Sequence, residues 1–117
     1  MIARLWHGWT DPAQADRYEE LLRSTIFPGI VARRIAGFER IELLRRPAGE
    51  EVEFITIMWF RSLEDVRAFA GEEWEVGVVP PAARAVLSRF DATAQHYEMR
   101  EERAAEGKDD ATTGIMS

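Results

Sequence analysis

Val52-Glu53-Phe54-Ile55-Thr56-Ile57-Met58-Trp59-Phe60 is the stretch on which the fold turns. It has the length of a strand and is rich in β-branched and aromatic residues. Pro47-Ala48-Gly49 bounds it on one side and Ser62 on the other. Successive side chains of a strand point to opposite faces. One face carries Phe54, Met58 and Phe60 around Thr56; the other carries Ile55, Ile57 and Trp59. A half-buried strand alternates apolar with polar, and this one does not, so both faces are expected to leave water. One layer of helices covers one face of a sheet. A second copy of the chain is the economical cover for the other, and a homodimer is expected.

Working outward, Gly37 opens a strand over residues 38–46, with Ile41 and Leu43 on one face and Phe38 and Leu44 on the other. Arg45 and Arg46 point opposite ways there, so one faces inward or the strand has already ended. The short loop 47–51 makes an antiparallel hairpin with the central strand. Downstream, Ser62 caps a helix with Asp65 as its box partner, Leu63, Val66, Phe69 and Ala70 form the apolar side, and Gly71 ends it. At the start of the chain, residues 2–9 read as a strand that Thr10-Asp11-Pro12 stops. Asp11 suits an N-cap, Pro12 the first helical position, and Gln14 the closing of a capping box. Ala15, Tyr18, Leu21, Leu22 and Ile26 then follow helical spacing, and Pro28-Gly29 predicts an end near Phe27.

Residues 30–36 form a connector whose Arg33-Arg34 pair reads as solvated surface. Residues 72–79 are acidic but carry Trp74, Val76, Val78 and Val79, which predicts a segment lying over the body. Residues 82–87 suggest a short helix and 91–100 a last strand. Residues 101–117 are charged and small, and read as a disordered tail behind a domain of residues 1–100. The order is β-α-β-β-α-β, the α+β ferredoxin-like pattern. Right-handed crossovers place its four antiparallel strands in the order 4-1-3-2.

The chain has no cysteine, which excludes disulfides, a catalytic thiolate and thiolate-held metal centres, and a cytoplasmic location is expected. A net charge of −6 argues against a general nucleic-acid binder. No run spans a bilayer, and no secretory signal or membrane partner is expected. There is no asparagine.

The chain resembles the antibiotic-biosynthesis monooxygenase family of dimeric α/β-barrel proteins over residues 1–100. The resemblance rests on Ile2-Ala3-Arg4-Leu5-Trp6-His7-Gly8-Trp9-Thr10, Leu44-Arg45-Arg46, Glu53-Phe54 running on to Trp59, Ser62-Leu63-Glu64, Phe69-Ala70-Gly71 and His96-Tyr97-Glu98. It implies two monomers packed sheet to sheet. It also implies one of two activities: oxidation of an aromatic polyketide by O₂ without a cofactor, or haem opening with an Asn, a Trp and a His. The missing Asn, and the absence of His between Trp74 and Phe90, disfavour haem degradation. The missing Asn also speaks against an asparagine-dependent oxidation. No cofactor is expected.

The two histidines, His7 and His96, fall on neighbouring antiparallel strands. An Arg4–Glu98 cross-strand pair, worth roughly 0.2–1 kcal/mol, predicts a register that sets Trp6 opposite His96 and Gly8 opposite Ala94. His7 then points to the other face, beside Gln95 and Tyr97. On this reading His96 and Arg4 are the candidate catalytic residues. His96 takes a phenolic or enolic proton and Arg4 stabilises the anion. Trp6, Gly8, Trp9, Trp59 and Glu98 are candidate substrate contacts, with Trp6 stacking on a ring and Gly8 leaving room for the ligand. The competing reading is a packed sheet in which His96 bonds to Glu98 or across the dimer. Trp59 is then core, and the other tryptophans line a pocket or the dimer contact. A metal site from His7, His96 and Glu98 lacks a third ligand in this register, and none is expected.

Overall fold

The computed structural model describes residues 1–106. Its sheet contains β1 (Ile2–Thr10), β2 (Phe38–Ala48) and β3 (Glu51–Phe60) in the order β2-β3-β1. Two short strands, β4 (Arg89–Phe90) and β5 (Gln95–Glu98), share the fourth position, both antiparallel to β1. This is the α+β ferredoxin-like arrangement with β3 and β1 central.

β2 and β3 pair as far as Ala48 opposite Glu51, so the loop is only Gly49-Glu50. Gly49 takes φ 66, the left-handed conformation a two-residue hairpin demands. The strand therefore runs through both arginines. Arg45 lies on the helix side over the Phe54 ring at 5.5 Å and donates to Asp16 and Glu19 at 3.0 and 2.9 Å. Arg46, on the other face, donates to Glu53 at 2.7 Å.

Helix α1 (Pro12–Leu21) starts behind Asp11, but the Asp11 side chain makes no cap bond. The Gln14 N–H goes to the Asp11 carbonyl at 3.0 Å instead, and the expected box does not form. Nor does the helix end near Phe27. It widens into a π-turn over Leu22–Ile26 and continues as α2 (Phe27–Ala32). The cause is Pro28. Proline has no N–H, and its ring collides with the carbonyl four residues back. An i→i−5 turn, in which the Phe27 N–H donates to the Leu22 carbonyl, lets the chain pass that point without breaking. The connector expected over residues 30–36 is therefore partly helix. Its Arg33 is exposed but donates to the Phe69 carbonyl at 3.1 Å.

Helix α3 (Leu63–Ala70) is capped as its sequence predicts. The Asp65 N–H donates to Ser62 Oγ at 3.3 Å, and the Ser62 hydroxyl donates to the Asp65 carboxylate at 2.9 Å. Residues 72–79 then lie as a strap over the edge of the sheet. Val76 bridges to Thr93, Gly77 N–H donates to the Ala92 carbonyl and Ala94 N–H to the Glu75 carbonyl. α4 (Pro81–Arg84) leads back to β4.

The strap accounts for the register of the last strand. Between β4 and β5 the chain leaves β1 to pair with the strap. The pairing then resumes with Arg4 opposite His96 and Ile2 opposite Glu98. The expected Arg4–Glu98 pairing is off by two residues. A shift of two preserves faces, so Arg4, His96 and Glu98 still share one side.

The helices all pack on the Phe54 side, in two apolar clusters. Ala15, Tyr18, Leu22 and Val86 cover Val52 and Phe54; Val66 and Phe69 cover Met58 and Phe60. The molecule is 23 Å across its thinnest direction, which is two layers. The opposite face shows Ile55, Ile57 and Trp59 beside Leu5, with Leu44 and Tyr97 more than half exposed. Among the described residues no helix is long and apolar enough to cross a membrane. Residues 101–106 are exposed and irregular, and most of the expected tail, residues 107–117, lies outside the described residues.

Candidate functional site

Between the two core clusters, over Thr56, the sheet and the helices do not meet. Tyr18, Leu22 and Ile26 close one side of the gap, Phe69 and Met58 another, and Val78 and Val79 of the strap, with Pro80 just after it, a third; Arg4, Trp6 and Thr56 floor it. The space open to the centre of a water molecule is about 70 Å³, within an envelope of about 530 Å³ that includes its mouth. The wall is apolar and aromatic with a few polar groups, the usual composition of a small-molecule site. The π-turn forms part of it, since Leu22 and Ile26 stand at its two ends.

Arg4 is 4% exposed, and no carboxylate lies within ion-pair reach among the described residues. A buried charge is costly unless it is paired or hydrogen-bonded. Here the acceptors are neutral. Nη1 donates to the Trp74 carbonyl and stands 3.0 Å from His96 Nε2, while Nη2 donates to the Val76 carbonyl at 3.1 Å. The guanidinium also lies 5.5 Å from the Phe69 ring centre. Burial pulls Arg4 down to about 10, which leaves it charged at neutral pH. Tyr18 is 1% exposed, edge-on to Phe54 at 4.8 Å. Burial pushes its hydroxyl well above the ordinary value, so it remains protonated.

Of the residues expected from the sequence, the cavity holds Arg4 and Trp6. The Trp6 Nε1–H donates to the Asp91 carbonyl at 2.8 Å, which fixes the indole. His96 sits behind Arg4, edge-on to Trp74 at 4.9 Å, and is not in the wall. Burial, then the charge of Arg4, lowers His96 to about 4. Gly8 does not leave room for a ligand: a β-carbon there would stand 3.0 Å from Leu87 and 3.2 Å from Trp6, which already fill the space. Trp9 and Trp59 lie on the opposite face of the sheet, because odd positions of β1 and β3 point there. Trp9 stacks on His7 and beneath Arg89, and Trp59 donates to Glu42 at 2.7 Å beneath Arg40. Glu98 is exposed, outside the cavity wall, and 3.6 Å from Arg100. His7 also faces away, between Asp91 at 3.1 Å and Glu53 at 3.8 Å. Among the described residues no three His, Asp or Glu side chains are grouped to hold a metal ion.

Sequence reading missed Tyr18, Ile26, Phe27, Phe69 and the strap as cavity wall. One signal for the place was available: Thr56 interrupts the otherwise apolar Phe54–Met58–Phe60 face, and the cavity lies over that interruption.

Fold and site together define a two-layer α+β protein with a small, open, apolar cavity between its layers. Solved structures share the architecture along nearly the whole chain. A candidate antibiotic biosynthesis monooxygenase from Bacillus cereus superposes with a TM-score of 0.64 at 14% identity, covering 89% of this chain and 97% of its own. Rv0793 of Mycobacterium tuberculosis superposes with a TM-score of 0.55 at 18% identity, over 88% and 98%. SnoaB, a cofactor-independent oxygenase from Streptomyces nogalater, does so with a TM-score of 0.50 at 18% identity, over 86% and 95%. At these identities the likeness is one of fold: the chain has the fold of antibiotic-biosynthesis-monooxygenase-like proteins. No protein-family model and no curated protein matches the sequence.

Proposed function

We propose that the chain is a cofactor-independent monooxygenase, or a related small-molecule enzyme, that takes an aromatic or polyketide-like compound between its sheet and its helices. The observation that carries this reading is Arg4: a buried cation without a carboxylate, in the wall of an apolar, aromatic cavity. An ionised phenol or enol is the complement of such a site, since opposite charge favours the ionised form. The resulting electron-rich anion is the species that reacts with O₂. In the simplest outcome a substrate CH₂ becomes C=O. One oxygen atom enters the product and the other leaves as water, and the four electrons come from the substrate carbon. The description of SnoaB as a cofactor-independent oxygenase supports the reading by analogy of fold.

We further propose that the Ile55–Ile57–Trp59 face is covered by a second copy of the chain. A specific observation favours a second reading: among the described residues, no side chain in the cavity wall offers a free basic nitrogen or carboxylate. A homodimer that binds an apolar ligand without reacting it needs none. Oxygen uptake with hydroxyanthrones, hydroxyquinones and flavonoids separates the two. Uptake with stoichiometric product supports the enzyme. Binding with no uptake by any of them, over long incubation, supports the binding protein.

A further inference from the structure

Arginine only donates hydrogen bonds. The 3.0 Å contact between Arg4 Nη1 and His96 Nε2 therefore makes Nε2 the acceptor. The ring proton is then on Nδ1, and His96 is neutral. With the Trp74 and Val76 carbonyls, three of the five N–H hydrogens of Arg4 have acceptors. Two have no protein acceptor among the described residues. Among the described residues no carboxylate forms an ion pair with Arg4, although Glu73 and Glu75 flank the strap carbonyls that hold it. The Phe69 ring is shared with a second cation, Arg33, at 5.1 Å; Glu98 on the same face of β5 is turned to Arg100; Arg67 stands 5.5 Å over Trp74. The site thus holds one desolvated positive charge, fixed by dipoles, with hydrogen-bonding capacity to spare.

Resting on the cavity reading above, we infer that the site takes its ligand as a monoanion, an apolar ring with one ionised oxygen set against Arg4, and that His96 is a positioning residue for the guanidinium rather than the base that ionises the ligand. Two observations separate His96 from that base. Its only lone pair is occupied by Arg4, and it does not line the cavity. The ligand proton goes to solvent, and the charge of Arg4 makes its departure favourable. Burial strengthens the effect, because a charge pair away from water is screened less. The lowered proton affinity of His96 agrees with a ring that stays an acceptor throughout.

The test uses 4-nitrophenol, whose anion absorbs separately from the phenol. Equilibrium dialysis reads binding and absorbance reads ionisation. Bound to the native chain, the probe is expected to ionise at a pH at least one unit below its free midpoint, about a tenfold preference for the anion. His96→Gln, which keeps an acceptor, retains this shift; His96→Leu loses part of it; Arg4→Met loses all of it. Arg4→Lys keeps the charge without the planar fork and retains a smaller shift, and it carries the test where Arg4→Met fails to fold. Binding with an unmoved midpoint overturns anion selection while the cavity reading stands. A His96→Gln protein that binds but no longer ionises the probe restores His96 as the base and overturns the inference. Equal shifts in native and His96→Leu proteins overturn the positioning role. No binding at all removes both the inference and the reading beneath it.

Discussion

Gly77 and Trp6 set the cavity's floor against its strap at van der Waals limits. A β-carbon on Gly77 would stand 2.5 Å from Trp6 Nε1, the atom that donates to the Asp91 carbonyl. Gly77→Ala is expected to push the indole off that bond and to destabilise the fold by about 1–3 kcal/mol, the usual cost of overpacking. Chemical denaturation measures this directly, and an unchanged midpoint would show that the strap moves aside freely. His96 gives a pH signature. Its folded value near 4 lies below the ordinary 6.5, so the unfolded chain binds the proton more readily. The stability it contributes is full above about pH 6.5 and is lost as pH falls toward 4. Melting curves of native and His96→Gln proteins should therefore converge over that window as the pH falls; parallel curves would contradict the burial of a neutral ring. The Arg4–His96 pair itself was not legible in the sequence. A charge-matched Arg4–Glu98 register was the natural expectation. The acceptors that hold Arg4 instead are backbone carbonyls at Trp74 and Val76, and a carbonyl leaves no mark on residue type.

At the scale of elements, the first three strands were readable because their period is short and their ends are marked. The single last strand expected over residues 91–100 is instead two short strands, β4 and β5, parted where the chain pairs with the strap. The β3 stretch is apolar on both faces, and Ser62–Asp65 and Gly71 bracket α3 where expected. The first helix was misread at Pro28-Gly29 for a physical reason. Proline breaks an α-helix, but a π-turn removes the clash at the expense of one irregular turn. That turn places Leu22 and Ile26 in the cavity wall. Pro28→Ala is expected to restore a regular helix and so to move this wall. Its melting temperature should stay within a few degrees of native, since the recovered hydrogen bond and the looser unfolded chain oppose each other. Ligand affinity should fall. Calorimetric titration checks it, and native affinity in the variant would mean that the π-turn is incidental to the site.

The described residues form one sheet with helices on one side only, and a second apolar face was the clearest inference from residues 52–60. Ile57 and Trp59 lie at the middle of that face, with Arg40, Glu42 and Arg46 along its β2 side. Sedimentation at micromolar concentration is expected to show a dimer, and Ile57→Glu a monomer with its helix-side core intact. A native monomer would remove the reason for two apolar faces on β3. The side of the sheet that carries the chemistry was less legible. Trp9 and Trp59 looked as suited to a ligand as Trp6, and only the packing of the helices assigns Arg4 and Trp6 to the cavity.

The measurement that bears most directly on the account is a thermal-shift titration of native, Arg4→Lys and Trp59→Ala proteins with a panel of hydroxyaromatic compounds. A ligand that binds only the folded state raises its melting point by mass action. The account predicts a compound that stabilises the native and Trp59→Ala proteins and stabilises Arg4→Lys much less. A compound that stabilises the native protein and Arg4→Lys equally, but not Trp59→Ala, would contradict it and place the site on the opposite face of the sheet.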